Sequence, residues 1–177
     1  YRAVIEDQPT DWNTANTLGD LYVRVGQIEK AVAEYIRFAD HLAGEGFLPK
    51  AVALYRKILK IKPDEEHAMW HLAGISARQG LLVDARANFV SLAERRRARG
   101  DTRGEAEVRV CLGDLDGADL QTRLAGARAR VELGETKAAV ERLKVAAAEL
   151  QDKGRAADAL RLLTEAAQFD AEDNELR

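Results

Sequence analysis

The sequence is poor in the features that mark several large classes of protein. One cysteine, Cys111, occurs among 177 residues. That excludes an intrachain disulfide framework and a thiolate cluster around zinc, and it points to a reducing compartment. No apolar run approaches the roughly 20 residues that a bilayer crossing needs. The opening YRAVIEDQ carries acids where a signal peptide has a basic end followed by an apolar stretch. Neither sign of charge dominates, since 27 Lys and Arg face 30 Asp and Glu for a formal net charge of -3, so the whole molecule does not attract nucleic acid or anionic lipid. The expectation is a cytoplasmic chain without membrane insertion. What is abundant is Ala, Leu and Arg, with 46% hydrophobic and 32% charged residues. This composition resembles helical repeats and has too large an apolar share for disorder.

The glycines reveal a period. Gly26, Gly80 and Gly134 recur at intervals of 54, as do Gly46, Gly100 and Gly154. Ala31, Ala85 and Ala139 keep the same interval, and so do Ala39, Ala93 and Ala147, the bulky set Tyr35, Phe89 and Leu143, and the apolar set Leu54, Val108 and Leu162. Repeat periods of this order signal stacked supersecondary units. Tyr1, Arg2 and Pro9 match Tyr55, Arg56 and Pro63, so the chain is expected to open inside a preceding repeat (1–11). Units follow at 12–65, 66–119 and 120–173, with 174–177 starting another helix. Each unit is read as three helices, those of the first at about 12–25, 28–44 and 47–62. Ile28, Val32, Tyr35, Ile36, Ala39 and Leu42 fall on one face at three- and four-residue steps. Gly26 and Gly46 suit the left-handed backbone past a helix end, and the Ala five residues on lets the next helix cross closely. Apolar faces left without a neighbour at the ends of such an array predict end-to-end self-association.

These columns resemble the tetratricopeptide repeat, a helix-turn-helix unit with small and large apolar residues at fixed positions and a frequent proline near its end. One frame contains Leu18, Gly19, Tyr22, Gly26, Ala31 and Tyr35; a second contains Ala39, Leu42, Gly46, Ala51, Tyr55 and Pro63; a third contains Leu72, Ala73, Gly80, Ala85 and Phe89. The first two frames overlap, so each 54-residue unit carries an additional helix. The likeness weakens at Glu105, Arg109 and Gly126, which occupy columns that hold Ala or large apolar residues elsewhere. The resemblance implies an all-α chain, a right-handed α-solenoid of stacked helix-turn-helix repeats, whose concave surface binds a peptide or protein. Independently, a unit of three short helices cannot cover its own apolar faces, so neighbours bury them and an extended surface results.

If the first helix of each unit lines the inner face, as its counterpart does in the family, the groove positions are Asn13, Asn16, Asp20 and Arg24, then His67, Trp70, Gly74 and Arg78, then Gln121, Leu124, Arg128 and Glu132, and His71 joins His67 among the partner-binding residues. Trp70 is either an aromatic contact for a partner or a seal between neighbouring units, and Trp12 is read as packing. The Lys/Asn/Arg clamp with which some family members hold a terminal carboxylate is missing, because Asn16 and Asp20 stand where its Lys and Asn belong. His67 and His71 lie four apart in HAMWH, a spacing that permits joint metal ligation. No Glu follows His67 as in a zinc protease, and Glu65 or Glu66 would join only by fortunate turn geometry, so the pair is read as polar groove lining. Neither a metal nor a cofactor is expected. His41 beside Asp40 reads as a solvated pair. The run from Arg95 to Arg103 reads as a solvated helix end, with an acidic protein or nucleic acid as its other readings. Cys111 has no base arranged beside it, and no phosphate-cradling loop or paired carboxylates occur. The function expected is a non-catalytic protein-interaction scaffold, with a structural spacer within a larger protein as the alternative and nucleic-acid binding third.

Overall fold

The computed structural model describes the backbone of residues 12–175 and the side chains of residues 16–171. Within that span the chain is all-α, and its order is α1 (Trp12–Arg24), α2 (Ile28–Gly44), α3 (Leu48–Ile61), α4 (Glu66–Arg78), α5 (Leu82–Ala98), α6 (Thr102–Asp114), α7 (Leu120–Glu132), α8 (Thr136–Asp152) and α9 (Ala156–Glu175). The first three helices begin and end within a residue of the bounds read from the glycine period. No helix among the described residues is long and apolar enough to cross a membrane.

The chain divides into two compact bodies, with the boundary between Asn88 and Phe89, inside α5. In the first body α2 supplies Ala31, Val32, Tyr35, Phe38, Ala39 and Leu42 to the core, a stripe produced by the 3.6-residue helical period. Leu18 of α1, Ala51, Leu54, Tyr55 and Ile58 of α3, and Ala68, Leu72 and Ile75 of α4 close around it. Each fully buried large side chain contributes about 1.5–3 kcal/mol, so helices too short to persist alone are held by their neighbours. The second body repeats the plan, with Leu124 and Ala127 of α7, Ala139 to Leu150 of α8, and Ala159, Leu162, Ala166 and Phe169 of α9.

The turns follow from backbone chemistry. Gly26 and Gly46 have φ of +74° and +82°, a region open to glycine because it has no Cβ. The reversal lets the N–H of Gln27 reach the carbonyl of Tyr22 at 2.9 Å and that of Phe47 reach Leu42 at 2.8 Å, which satisfies helix-end carbonyls. Ala31 and Ala51, five residues beyond each glycine, have no exposed surface. A different ending appears in α9, which continues to Glu175 rather than stopping for a new helix at 174. Ala171 occupies the column of Pro63 there, and alanine keeps the backbone bond and the helical preference that proline removes.

Gly126 is a packing device, although it departs from the repeat pattern. A Cβ on it would lie 2.9 Å from the Cα of Gly113 and 3.0 Å from the carbonyl oxygen of Arg109, so α6 and α7 cross backbone against backbone. Gly74 of α4, by contrast, has open space around the same position. Gly126→Ala is expected to destabilise the chain by about 1–2 kcal/mol, overpacking exceeding the gain in helix propensity. Gly74→Ala is expected to stabilise it by about 0.5–1 kcal/mol. Urea unfolding midpoints of the two variants check the opposite signs.

Candidate functional site

Of the residues expected to line the inner face, Asn16, Asp20, His67, Arg128 and Glu132 make polar contacts that reach across neighbouring helices. On α1, Asp20 accepts the Tyr35 hydroxyl at 2.5 Å and pairs with Lys57 of α3 at 2.5 Å. Lys57 also donates to Asn16 Oδ1 at 2.7 Å, and its ammonium lies 4.8 Å from the Tyr35 ring centroid. Burial opposes ionisation of Asp20, but hydrogen bonds from Lys57 and Tyr35 outweigh it and hold the carboxyl below its ordinary value. Burial first, then the bond to Asp20, pushes the Tyr35 hydroxyl well above the ordinary tyrosine range.

The same construction recurs 20 residues later. Asp40 of α2 accepts the hydroxyl of the fully buried Tyr55 of α3 at 2.6 Å. The Nε2 of His67 lies 2.9 Å from both Asp40 oxygens, and His71, one turn along α4, stacks on the Tyr55 ring with centroids 5.4 Å apart and planes 14° from parallel. Burial, followed by the neighbouring His67, lowers the basicity of His71, while Asp40 opposes the shift. Asp40 therefore faces Tyr55 and His67 rather than forming a solvated pair with His41, whose Nε2 is buried without a hydrogen-bond partner.

In the second body Arg128 of α7 pairs with Glu165 of α9 at 2.6 Å. These positions are each two repeat periods beyond Asp20 and Lys57, so one ion pair is built twice with its signs exchanged. Beside it a surface cleft of about 330 Å³ runs between α7 and α9, lined by Gln121, Leu124, Leu160, Arg161, Thr164, Glu165 and Gln168. Leu160 is 65% exposed. Glu132 lies elsewhere, accepting from Arg109 at 2.5 Å. Arg24 and Arg78 are exposed and Trp70 is half-buried. The side chains of Trp12 and Asn13 lie outside the described residues.

The arginine run is largely drawn into ion pairs. Arg97 pairs with Glu105 at 2.7 Å, Arg96 with Glu107 at 3.4 Å, Arg99 with Asp101 at 2.8 Å and Arg103 with Glu107 at 3.7 Å. Glu105, which breaks the apolar column in the sequence, is thus the partner of Arg97. Sequence reasoning missed Asp40, Tyr55, Lys57 and Glu165 as members of these clusters. The repeated 15-residue Asp-to-Tyr spacing, Asp20 to Tyr35 and Asp40 to Tyr55, was the available signal.

No protein-family model matches the sequence, and no curated protein matches it. Solved structures similar to the chain include a Podosopora anserina protein described as a kinesin light chain with nearly identical TPR-like repeats, at 17% identity and a TM-score of 0.41, covering 95% of this chain and 90% of that one. MamA of AMB-1 is similar at 16% identity and a TM-score of 0.40, with 89% and 91% covered. A tetratricopeptide repeat protein from Parabacteroides merdae ATCC 43184 is similar at 14% identity and a TM-score of 0.32, with 95% and 83% covered.

Two outcomes follow from these contacts. Lys57→Glu alone sets two carboxylates together and is expected to lower stability by about 1 kcal/mol, while Asp20→Arg combined with Lys57→Glu recovers at least half of the loss. A double-mutant cycle in denaturant checks this. Burial first, then Asp114, pushes the Cys111 thiol up to about 11, so native Cys111 is expected to react with iodoacetamide at pH 8 at least about tenfold more slowly than in the urea-unfolded chain.

Proposed function

We propose that the chain is a non-catalytic protein-interaction module that seats a peptide segment of a partner in the cleft between α7 and α9. The observation supporting this reading is the cleft itself. Gln121 and Leu124, two positions expected to face a partner, stand opposite the exposed Leu160. Leu160 offers apolar area for an inserted side chain. Gln121, Thr164 and Gln168 offer hydrogen bonds to an extended backbone, and Arg161 and Glu165 set one charge of each sign at the rim. Apolar surface with a few polar groups around it is the usual makeup of a specific small site. The chemistry suits recognition: the half-buried thiol is protonated at neutral pH, and Arg96 and Arg130 near it serve ion pairs.

The test uses a photoreactive residue introduced at Gln121 or Arg161 in the cleft, and at the exposed Lys137 of α8, the helix packed against both α7 and α9. Irradiation in lysate of the source cells is expected to give discrete adducts from the cleft positions, lost when Leu160→Asp is added, and none from Lys137. Equal labelling at all three positions, or adducts indifferent to Leu160→Asp, supports a spacer instead.

A further inference from the structure

We propose that Asp40, His67 and His71 form a binding site for a borderline divalent metal ion of the Zn2+ kind, clipping α2 to α4. The site is independent of the peptide reading, which concerns α7 and α9. One ligand atom from each of the three residues lies within 4.8 Å of the others, and the rings of His67 and His71 have centroids 4.3 Å apart. Zn2+ bonds of about 2.0–2.2 Å in tetrahedral geometry hold donors about 3.3 Å apart. The 2.9 Å between His67 Nε2 and the Asp40 carboxylate is a few tenths of an ångström from that spacing. His67 and Asp40 have side chains 39% and 38% exposed, so both can make the adjustment and the ion has a path from solvent. Two imidazoles and one carboxylate are the donor set that zinc and its neighbours in the first transition row accept, with a position left for water.

Two further observations separate this cluster from a chance pair of histidines. Tyr55 supplies the outer support that metal sites require: its hydroxyl engages Asp40 Oδ1 and leaves Oδ2 for the ion, while its ring orients His71. The repeat itself does not demand histidine here, because the equivalent columns hold Asn13 and Gln121 for His67, and Thr17 and Ala125 for His71. On binding, the ion takes the place of the hydrogen between His67 Nε2 and Asp40, and the neutral imidazole carries its single N–H on Nδ1. The third donor comes from Asp40, 27 residues upstream of His67, and not from Glu65 or Glu66 beside the histidines.

The experiment is Zn2+ titration of the tag-free, chelator-stripped chain against a chromophoric chelator, with a parallel record of the imidazole 15N resonances. One equivalent of Zn2+ is expected to bind and to shift His67 and His71 but not His41, the third histidine. His67→Gln, His71→Gln and Asp40→Asn each weaken binding by more than about tenfold, Tyr55→Phe by about tenfold, and His41→Gln leaves it unchanged. Zn2+ also raises the melting temperature of the unaltered chain and not that of His71→Gln. Failure to take up one equivalent, wild-type affinity in His67→Gln, or shifts centred on His41 would overturn the proposal. The resonance measurement on the unaltered chain decides even if a variant folds poorly.

Discussion

Close approach of helix to helix is the constraint from which the other features of this chain follow. Short amphipathic helices gain stability only against neighbours, and the distance between them is set by the smallest side chain at the crossing. Ala31 and Ala51 provide it in the first body, and Gly113 against Gly126 carries it to backbone contact in the second. Gly19 shows how tight the arrangement is, since a Cβ there would fall 2.1 Å from an atom of the Tyr35 ring. The ring lies over that glycine, and its hydroxyl then reaches the next residue, Asp20.

Polar groups held in this way are part of the packing. A buried tyrosine hydroxyl without a partner is costly, and Asp20 and Asp40 meet that need at the edge of the core while keeping one side open to solvent. Their remaining valence then differs by position. Lys57 completes the first and His67 the second, so the same scaffold yields an ion pair in one place and a ligand-like cluster in the other. Two repeat periods later the ion pair persists as Arg128 and Glu165 with its signs exchanged. The columns do not require charge, since the unit between holds Gly74 and Cys111 there, but where both members are charged their signs are complementary.

Much of the architecture was legible in the sequence because it depends on local chemistry. The glycine columns mark positions where only a residue without a Cβ turns the chain easily, and apolar spacing marks the face each helix buries. Hence the bounds of α1, α2 and α3 could be read to within a residue, and the all-α class with them. The site was legible only in part. Helical spacing placed His67 and His71 on one face of α4, and Gln121 and Leu124 on one face of α7, yet the sequence has no distance between Asp40 and His67 or between Leu124 and Leu160.

What the sequence alone determined, then, is periodicity: the positions of helices, turns and buried stripes, each governed by neighbours a few residues away. Tertiary structure decided the partners. Asp40 turns from the adjacent His41 to Tyr55 and His67, Arg97 finds Glu105, and Gly126 meets Gly113, because helix crossing brings together groups separated along the chain. Hydrogen bonding and close packing act over a few ångströms of space, whatever the number of residues between.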